Sequence, residues 1–202
     1  MRAMVRTITS LALIALFAAG CGAAFPTYDY AKEPDPRRSE LVLGVGDVIG
    51  VNVWENSGLN TDATIRPDGT ITMPLAGDIK AAGETPSGLR AKIKDLLANY
   101  VKLGGNEVTV AVRAWKSYRF TISGEVTRAG VFSSDQYVTV AEALAMAGGL
   151  TRFAKRDGVK LLRHGTTGTT VREIPLDYDA LASGKRNDMN IYVLAGDQIF
   201  VP

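Results

Sequence analysis

The sequence predicts an α+β protein built from two β-rich units, each with one principal helix. Three observations favour this class. Glycine makes up 21 of the 202 residues, above the usual share of roughly 7%, which indicates many turns. Short runs of alternating apolar and polar residues, typical of half-buried strands, lie between those turns. Two longer stretches have helical periodicity, and each stops at a glycine pair, Gly104-Gly105 and Gly148-Gly149.

The first unit is predicted to span residues 41–115. It opens with Gly46-Asp47, a turn that leads into a strand rich in valine. Further along, Asp68-Gly69 separates two short alternating runs. Because glycine adopts a positive φ without strain, this pair predicts a hairpin between those runs.

A helix and a strand complete the first unit. Thr85 can cap a helix whose first residue is Pro86, where the missing N–H does no harm. The apolar residues that follow at spacings of three and four predict one buried face, formed by Leu89, Ile93, Leu96, Leu97 and Tyr100. Residues 107–113 then alternate as a strand does.

The second unit is predicted to span residues 116–202. Two strands come first, and Gly124 interrupts the longer of them. Thr139 and Glu142 have the spacing of a capping box at a helix start. Four more strands are expected over residues 159–163, 171–175, 191–194 and 198–201. The order of strand, strand, helix and further strands is typical of a β-grasp.

The N-terminus predicts export from the cytoplasm. Arg2 and Arg6 precede an apolar run that is too short to span a bilayer, as in a secretory signal peptide over residues 1–20. The only cysteine follows at once, and Ala18-Ala19-Gly20-Cys21 resembles a bacterial lipobox. That resemblance implies cleavage before Cys21 and acylation of its thiol and amine. The alternative is cleavage after Ala23 without lipidation.

Residues 21–40 contain three prolines and mixed charges without an apolar period. This composition predicts a flexible tether between the lipid and the folded units.

Charge and chemistry exclude several classes of function. Without Arg2 and Arg6, the 23 basic residues become as numerous as the 21 acidic ones, so nothing indicates nucleic-acid binding. His164 is the only histidine, which leaves little for a histidine-based metal site or a catalytic triad. No phosphate-binding loop motif occurs either. We therefore expect neither an enzyme nor a cofactor or metal site.

The order of these motifs resembles the polysaccharide-export (outer-membrane polysaccharide exporter) family. The opening Gly-Asp strand and the Arg-Pro-Asp-Gly hairpin resemble its export domain. The second unit resembles its soluble-ligand-binding β-grasp (SLBB) domain. The resemblance covers about residues 41–202 and places structural motif residues at Gly46, Asp47, Arg66, Pro67, Asp68, Gly69, Pro74, Gly124, Gly130, Gly148 and Gly149.

The resemblance implies a function and a set of partners. Family members assemble into homo-oligomeric rings, contact an inner-membrane polysaccharide co-polymerase and pass the exported polysaccharide. The sequence ends at Pro202, directly after one β-grasp. We therefore expect no pore-forming helix and a separate outer-membrane protein, such as a β-barrel, as a further partner. The implied location is the periplasmic face of the outer membrane, with a soluble periplasmic protein as the alternative.

Candidate contacts to sugar or to a neighbouring subunit come from aromatic and cationic side chains. Trp115 and Tyr118 are the first choice because they flank the junction between the units. Trp54, Tyr178 and Tyr192 are the other aromatic candidates, and for all five aromatic residues a position in the core is the more expected. Arg66 is a candidate, although a local carboxylate is its more expected partner. Arg152, Lys155, Arg156 and Lys160 form a small basic cluster after the second helix. The cluster is expected to be either a solvated face or a contact to an acidic polymer or a neighbouring subunit.

Two other functions remain open at this stage. One is a monomeric glycan-binding lipoprotein of the cell envelope, and the other is a periplasmic hydrolase. A monomer after mild detergent extraction favours the first, and activity on purified oligosaccharide favours the second.

Overall fold

The computed structural model describes residues 27–102, 107–165 and 170–202. The signal peptide, the lipobox residues Ala18, Ala19 and Gly20, and Cys21 lie outside them. The described residues form two units with separate hydrophobic cores, and both units combine strands with helices. This confirms the predicted α+β class.

The first unit contains two small antiparallel sheets and one helix. β1 lies in the centre of a sheet of order β2-β1-β5, and β3 pairs only with β4. Both sheets and the helix contribute to one core. The elements are β1 (Val48–Val53), β2 (Thr61–Thr64), β3 (Thr70–Met73), β4 (Gly77–Lys80), α1 (Pro86–Leu97) and β5 (Val108–Ala114).

The turn at Asp68-Gly69 forms, but the predicted hairpin is wrong. Gly69 has φ +78°, as such a turn needs. The strands on either side of it nevertheless belong to different sheets, because β2 pairs with β1 and β3 with β4. Pro67 has no N–H to extend a ladder from the turn. The backbone N–H and C=O of Ile65 bond instead to Asp47 and Gly46.

Helix α1 starts where the sequence predicts. The Thr85 hydroxyl accepts a hydrogen bond from the Gly88 N–H at 3.0 Å, and Pro86 is the first helical residue. Leu89, Ile93 and Leu97 are fully buried, whereas Leu96 and Tyr100 are exposed. The apolar face is therefore narrower than the periodicity suggested.

The second unit is one five-stranded mixed sheet of order β7-β6-β10-β8-β9 packed against short helices. The β10–β6 pair is parallel, and the others are antiparallel. A Cβ on Gly124 would lie 1.9 Å from the Val201 carbonyl oxygen, so this position requires glycine. The elements are β6 (Arg119–Gly124), β7 (Gly130–Ser133), α2 (Val140–Met146), β8 (Val159–His164), β9 (Val171–Leu176), α3 (Tyr178–Ala182) and β10 (Gln198–Val201).

Two predictions in the second unit have opposite outcomes. The capping box at α2 is confirmed, since Thr139 and Glu142 bond to each other's backbone N–H groups. The strand predicted over residues 191–194 is wrong. Ile191 and Val193 bond to the chain beside the start of α2, and only a single bridge joins Thr139 to Tyr192.

The prediction of a flexible tether is wrong for residues 27–40, here called the N-terminal strap. The strap contains two short 3₁₀ helices, Tyr30–Lys32 and Pro36–Arg38. Tyr30 is buried in the core of the second unit. At the other end of the strap, a Glu40 side-chain oxygen accepts a hydrogen bond from the Ser87 N–H in the first unit at 2.9 Å. The strap therefore contacts both units.

Candidate functional surfaces

Asp47 joins the first unit to the start of the second. Its carboxylate is fully buried and accepts four hydrogen bonds. The donors are the N–H groups of Gly44, Lys116 and Ser117 and the hydroxyl of Ser117, at 2.7–2.9 Å. A Cβ on Gly44 would lie 2.4 Å from the Ser117 Cβ, so this close approach requires glycine. The motif residue Asp47 thus fixes the chain at the junction.

Asp197 repeats the geometry of Asp47 in the second unit. Each aspartate accepts a hydrogen bond from the N–H three residues earlier, at 2.8 Å for Gly44 and 2.7 Å for Leu194. The glycines that precede them, Gly46 and Gly196, have φ of +91° and +84°. Gly46-Asp47 and Gly196-Asp197 therefore form the same type of turn.

A buried ion network holds the N-terminal strap against the second unit. The Arg163 guanidinium contacts Asp197 and Glu33, with N–O distances of 2.6 Å to each. Glu33 also pairs with Arg172 at 3.0 Å. Burying charges is tolerated only when they are paired and hydrogen-bonded, as they are here. No local sequence pattern indicated this network, because Glu33 lies in the segment that was predicted to be a flexible tether.

Aromatic contacts reinforce the strap. Burial raises the pKa of Tyr30 to about 12, and its hydroxyl donates to the Pro175 carbonyl. Arg37 lies over the ring of Tyr192, 4.5 Å from its centroid. Cation–π contacts of this kind add roughly 0.5–1 kcal/mol at exposed sites.

Of the two aromatic residues chosen at the junction, only Trp115 is accessible. Tyr118 is fully buried, and its hydroxyl donates to the Val193 carbonyl at 2.9 Å. Tyr118 is therefore wrong as a candidate surface contact, and it occupies the core position that was the more expected. Trp115 is half-buried and stacks on Tyr118 with ring centroids 4.6 Å apart. Together with Tyr137 and Tyr192, it lines a cleft of about 470 Å³.

Arg66 is held by a carboxylate of the adjacent turn and by one on β4. Its guanidinium lies 3.3 Å from a carboxylate oxygen of Asp68 and 3.0 Å from one of Asp78. The pKa of Asp78 is lowered, first by a hydrogen bond from Thr72 and then by one from Arg66. This agrees with the expectation of a local carboxylate partner.

The basic cluster lies on the surface after α2. Arg152, Lys155 and Arg156 are all exposed. Arg156 pairs with Asp179 at 2.6 Å, which neutralises part of the cluster. Arg152 lies 4.7 Å from the ring centroid of Phe153, itself 72% exposed.

For Trp54, the expected position in the core is wrong. It is 71% exposed, not buried in the core. The reason is its position at the end of β1, one residue after the last buried strand residue, Val53. It lines a cleft of about 580 Å³ on the first unit.

The described segments contain neither a membrane-spanning helix nor a cluster of metal-binding side chains. None of their helices is long and apolar enough to cross a bilayer. No three His, Cys, Asp or Glu side chains gather there as a metal site would require.

Comparisons with known proteins agree with the two-unit architecture. Residues 35–113 match the family described as polysaccharide biosynthesis/export protein, and residues 119–174 match the SLBB domain. The boundary between the matches coincides with the junction that Asp47 holds.

Similar curated proteins are named for polysaccharide export. The chain is 29% identical over 184 residues to the EPS I polysaccharide export outer membrane protein EpsA of Ralstonia nicotianae, covering 79% of this chain and 46% of that protein. It is 30% identical over 159 residues to the exopolysaccharide production protein ExoF of Rhizobium meliloti, covering 74% and 35%. With the capsule polysaccharide export outer membrane protein CtrA of Neisseria meningitidis serogroup A, identity is 24% over 176 residues, covering 76% and 43%.

The alignments thus cover most of this chain but less than half of each of these relatives. Both matched domains occur in the order that the motifs predicted, with their boundary at the junction seen in the structure. The chain belongs to the polysaccharide biosynthesis/export family and carries an SLBB domain after its export domain.

Proposed function

We propose that this protein is a component of an exopolysaccharide or capsule export complex, in which it forms part of the wall of the translocation path. The observation that carries the proposal is the export domain followed directly by an SLBB domain. The relatives that share this region are named for polysaccharide export at the outer membrane. Such a role needs an enclosing surface and requires no bond to be made or broken.

The proposed assembly is a homo-oligomeric ring. Closed rotational symmetry requires every subunit to present the same two faces at the same angle. The Asp47 junction and the N-terminal strap support this, because both restrict how the two units can move relative to each other. An inner-membrane co-polymerase and a separate outer-membrane protein are the proposed partners on either side.

The proposed location is the periplasmic face of the outer membrane, with a lipid on Cys21 as the anchor. Several acyl chains, at about 0.8 kcal/mol per buried CH₂, hold a protein at a membrane almost irreversibly. Thr27, the first described residue, lies six positions after Cys21. An extended chain of six residues reaches at most roughly 20 Å. A lipid on Cys21 would therefore keep the second unit, to which the strap is bound, close to the membrane surface.

Deletion of the gene and complementation in the producing bacterium test this proposal. We expect the deletion to abolish secreted polysaccharide and the wild-type gene to restore it. Cys21→Ser cannot be lipidated, so we expect the protein to leave the membrane fraction and secretion to fall severalfold. Ala24→Ser, which introduces the same side chain three residues later, is the matched control and should behave as wild type. Normal secretion by the deletion strain would refute the proposal.

A further inference from the structure

One face of the sheet β2-β1-β5 in the first unit is polar and open. Cα partners in a sheet share a face, and so do residues two apart along one strand. Asn52 on β1 and Thr109 opposite it on β5 therefore share one face, and Trp54, in the turn that follows β1, lines a cleft together with both. The other side of this strand carries the buried residues Ile49, Val51 and Val53.

The open face ends in a cleft of about 580 Å³, here called the Trp54 cleft. Its lining combines one exposed indole with amide, hydroxyl and carboxylate groups. Six of its lining residues are Asn52, Trp54, Glu55, Asn60, Glu107 and Thr109.

The backbone holds the indole at this edge. The Trp54 N–H donates to the Glu107 carbonyl at 2.8 Å, and its own carbonyl accepts from the Asn56 side chain at 3.1 Å. The Asn60 side chain accepts from the Val53 N–H at 2.8 Å. Glu55 adopts φ +59°, a left-handed conformation that is uncommon for a residue other than glycine. The loop that presents Trp54 is therefore fixed by specific bonds and a specific backbone conformation.

An indole left 71% exposed forgoes much of the burial that makes tryptophan stabilising in a core. Its flat apolar face suits the C–H face of a pyranose ring, and the amide and hydroxyl groups around it suit the hydroxyl rim of a sugar. Two glutamates line the cleft, and none of its described lining residues is cationic. This charge disfavours uronic acids and other anionic sugars.

We propose that the Trp54 cleft binds a neutral hexopyranose unit of the polysaccharide, with the sugar stacked on Trp54 and Asn52 and Thr109 bonding to its hydroxyls. The proposal rests on the function proposed above, since it assigns a contact point for the polymer within the export domain. Many weak contacts of this kind in a ring would guide a moving polymer without retaining it.

Fluorescence of the full mature protein in detergent tests the site, because Trp54 and Trp115 are its only tryptophans. Trp115→Phe leaves Trp54 as the sole reporter. The probes are three neutral oligosaccharides (cellopentaose, maltopentaose and laminaripentaose) and trigalacturonate as the acidic comparison. We expect a saturable change in Trp54 fluorescence with at least one neutral probe and a weaker response to trigalacturonate.

Calorimetry with variants that keep Trp115 provides an independent reading. Trp54→Ala should weaken binding of the neutral probe about tenfold, which corresponds to the loss of one aromatic stacking contact. Phe153→Ala removes an equally exposed aromatic side chain from the second unit and should leave affinity unchanged. Circular dichroism checks that both variants fold.

The contrary outcomes are distinct. No saturable binding of any neutral probe, or unchanged affinity in Trp54→Ala, overturns the site, and a preference for trigalacturonate overturns its assignment to neutral sugars. If Trp54→Ala instead reduces the mass of the detergent-extracted particle without changing sugar affinity, the cleft is a subunit interface. Each of these results is compatible with a deletion strain that fails to secrete, so the site can fail while the proposed function stands.

Discussion

At the residue scale, the junction between the two units depends on the side chain of Asp47. Its buried carboxylate accepts four hydrogen bonds, and two of the donors are backbone N–H groups at the junction. A buried donor that loses its acceptor incurs its full desolvation penalty. Asp197 uses the same turn for a different purpose, since its carboxylate also pairs with Arg163. The same type of turn therefore places Asp47 at the junction and Asp197 in the ion network.

Asp47→Ala should lower the free energy of unfolding by roughly 3 kcal/mol, because several buried N–H groups lose a charged acceptor. Urea denaturation of the purified protein, followed by circular dichroism, measures the change. Asp95→Ala removes an exposed carboxylate from α1 and should change stability by less than about 0.5 kcal/mol. Equal effects of the two substitutions would contradict the assigned role of Asp47.

At the element scale, the N-terminal strap extends the folded structure into a segment whose composition resembles a linker. Proline and charge usually indicate an exposed connection. Here Pro36 begins a 3₁₀ helix, and the charge of Glu33 is satisfied by Arg163, 130 residues further along the chain. A partner at that separation leaves no local pattern, which is why periodicity and composition could not predict the strap.

Glu33→Ala should release the strap while both cores stay folded. The substitution leaves Arg163 with Asp197 as its remaining carboxylate partner, and breaking a buried ion pair costs roughly 3–5 kcal/mol. We expect amide hydrogen exchange over residues 28–38 to become much faster, with exchange in α1 unchanged. Asp29→Ala breaks an exposed pair with Lys32 in the same segment and should have little effect. Unchanged strap protection in Glu33→Ala would rule out the network as its anchor.

Local sequence signals predicted most helices and strands correctly, whereas strand pairing and the burial of some side chains, which depend on tertiary contacts, were not predicted. The caps at Thr85 and Thr139 are set by neighbouring residues, so the sequence alone placed both helix starts. The turn at Gly69 was also predicted, but the choice of strand partners depends on which edges are free in the folded sheets. Trp54 is exposed where a core position was expected, and Tyr118, named as a candidate surface contact, is buried, because burial depends on packing across the whole unit.

At the scale of the whole molecule, two units with separate cores are connected by a fixed junction and by a strap that contacts both. Family membership explains the order of the domains, and the proposed conduit explains why their relative orientation should be restrained. A subunit of a closed ring transmits any change of angle to every copy, so a loose junction would prevent closure.

The central claim is that many copies of this chain surround a path for polysaccharide. Electron microscopy of the particle, extracted in mild detergent from cells that express a tagged chromosomal copy, tests it most directly. The account predicts rings with a central opening and a mass several times that of one chain. A particle with the mass of a single chain, under conditions in which the deletion strain is complemented, would contradict it and favour the monomeric glycan-binding lipoprotein.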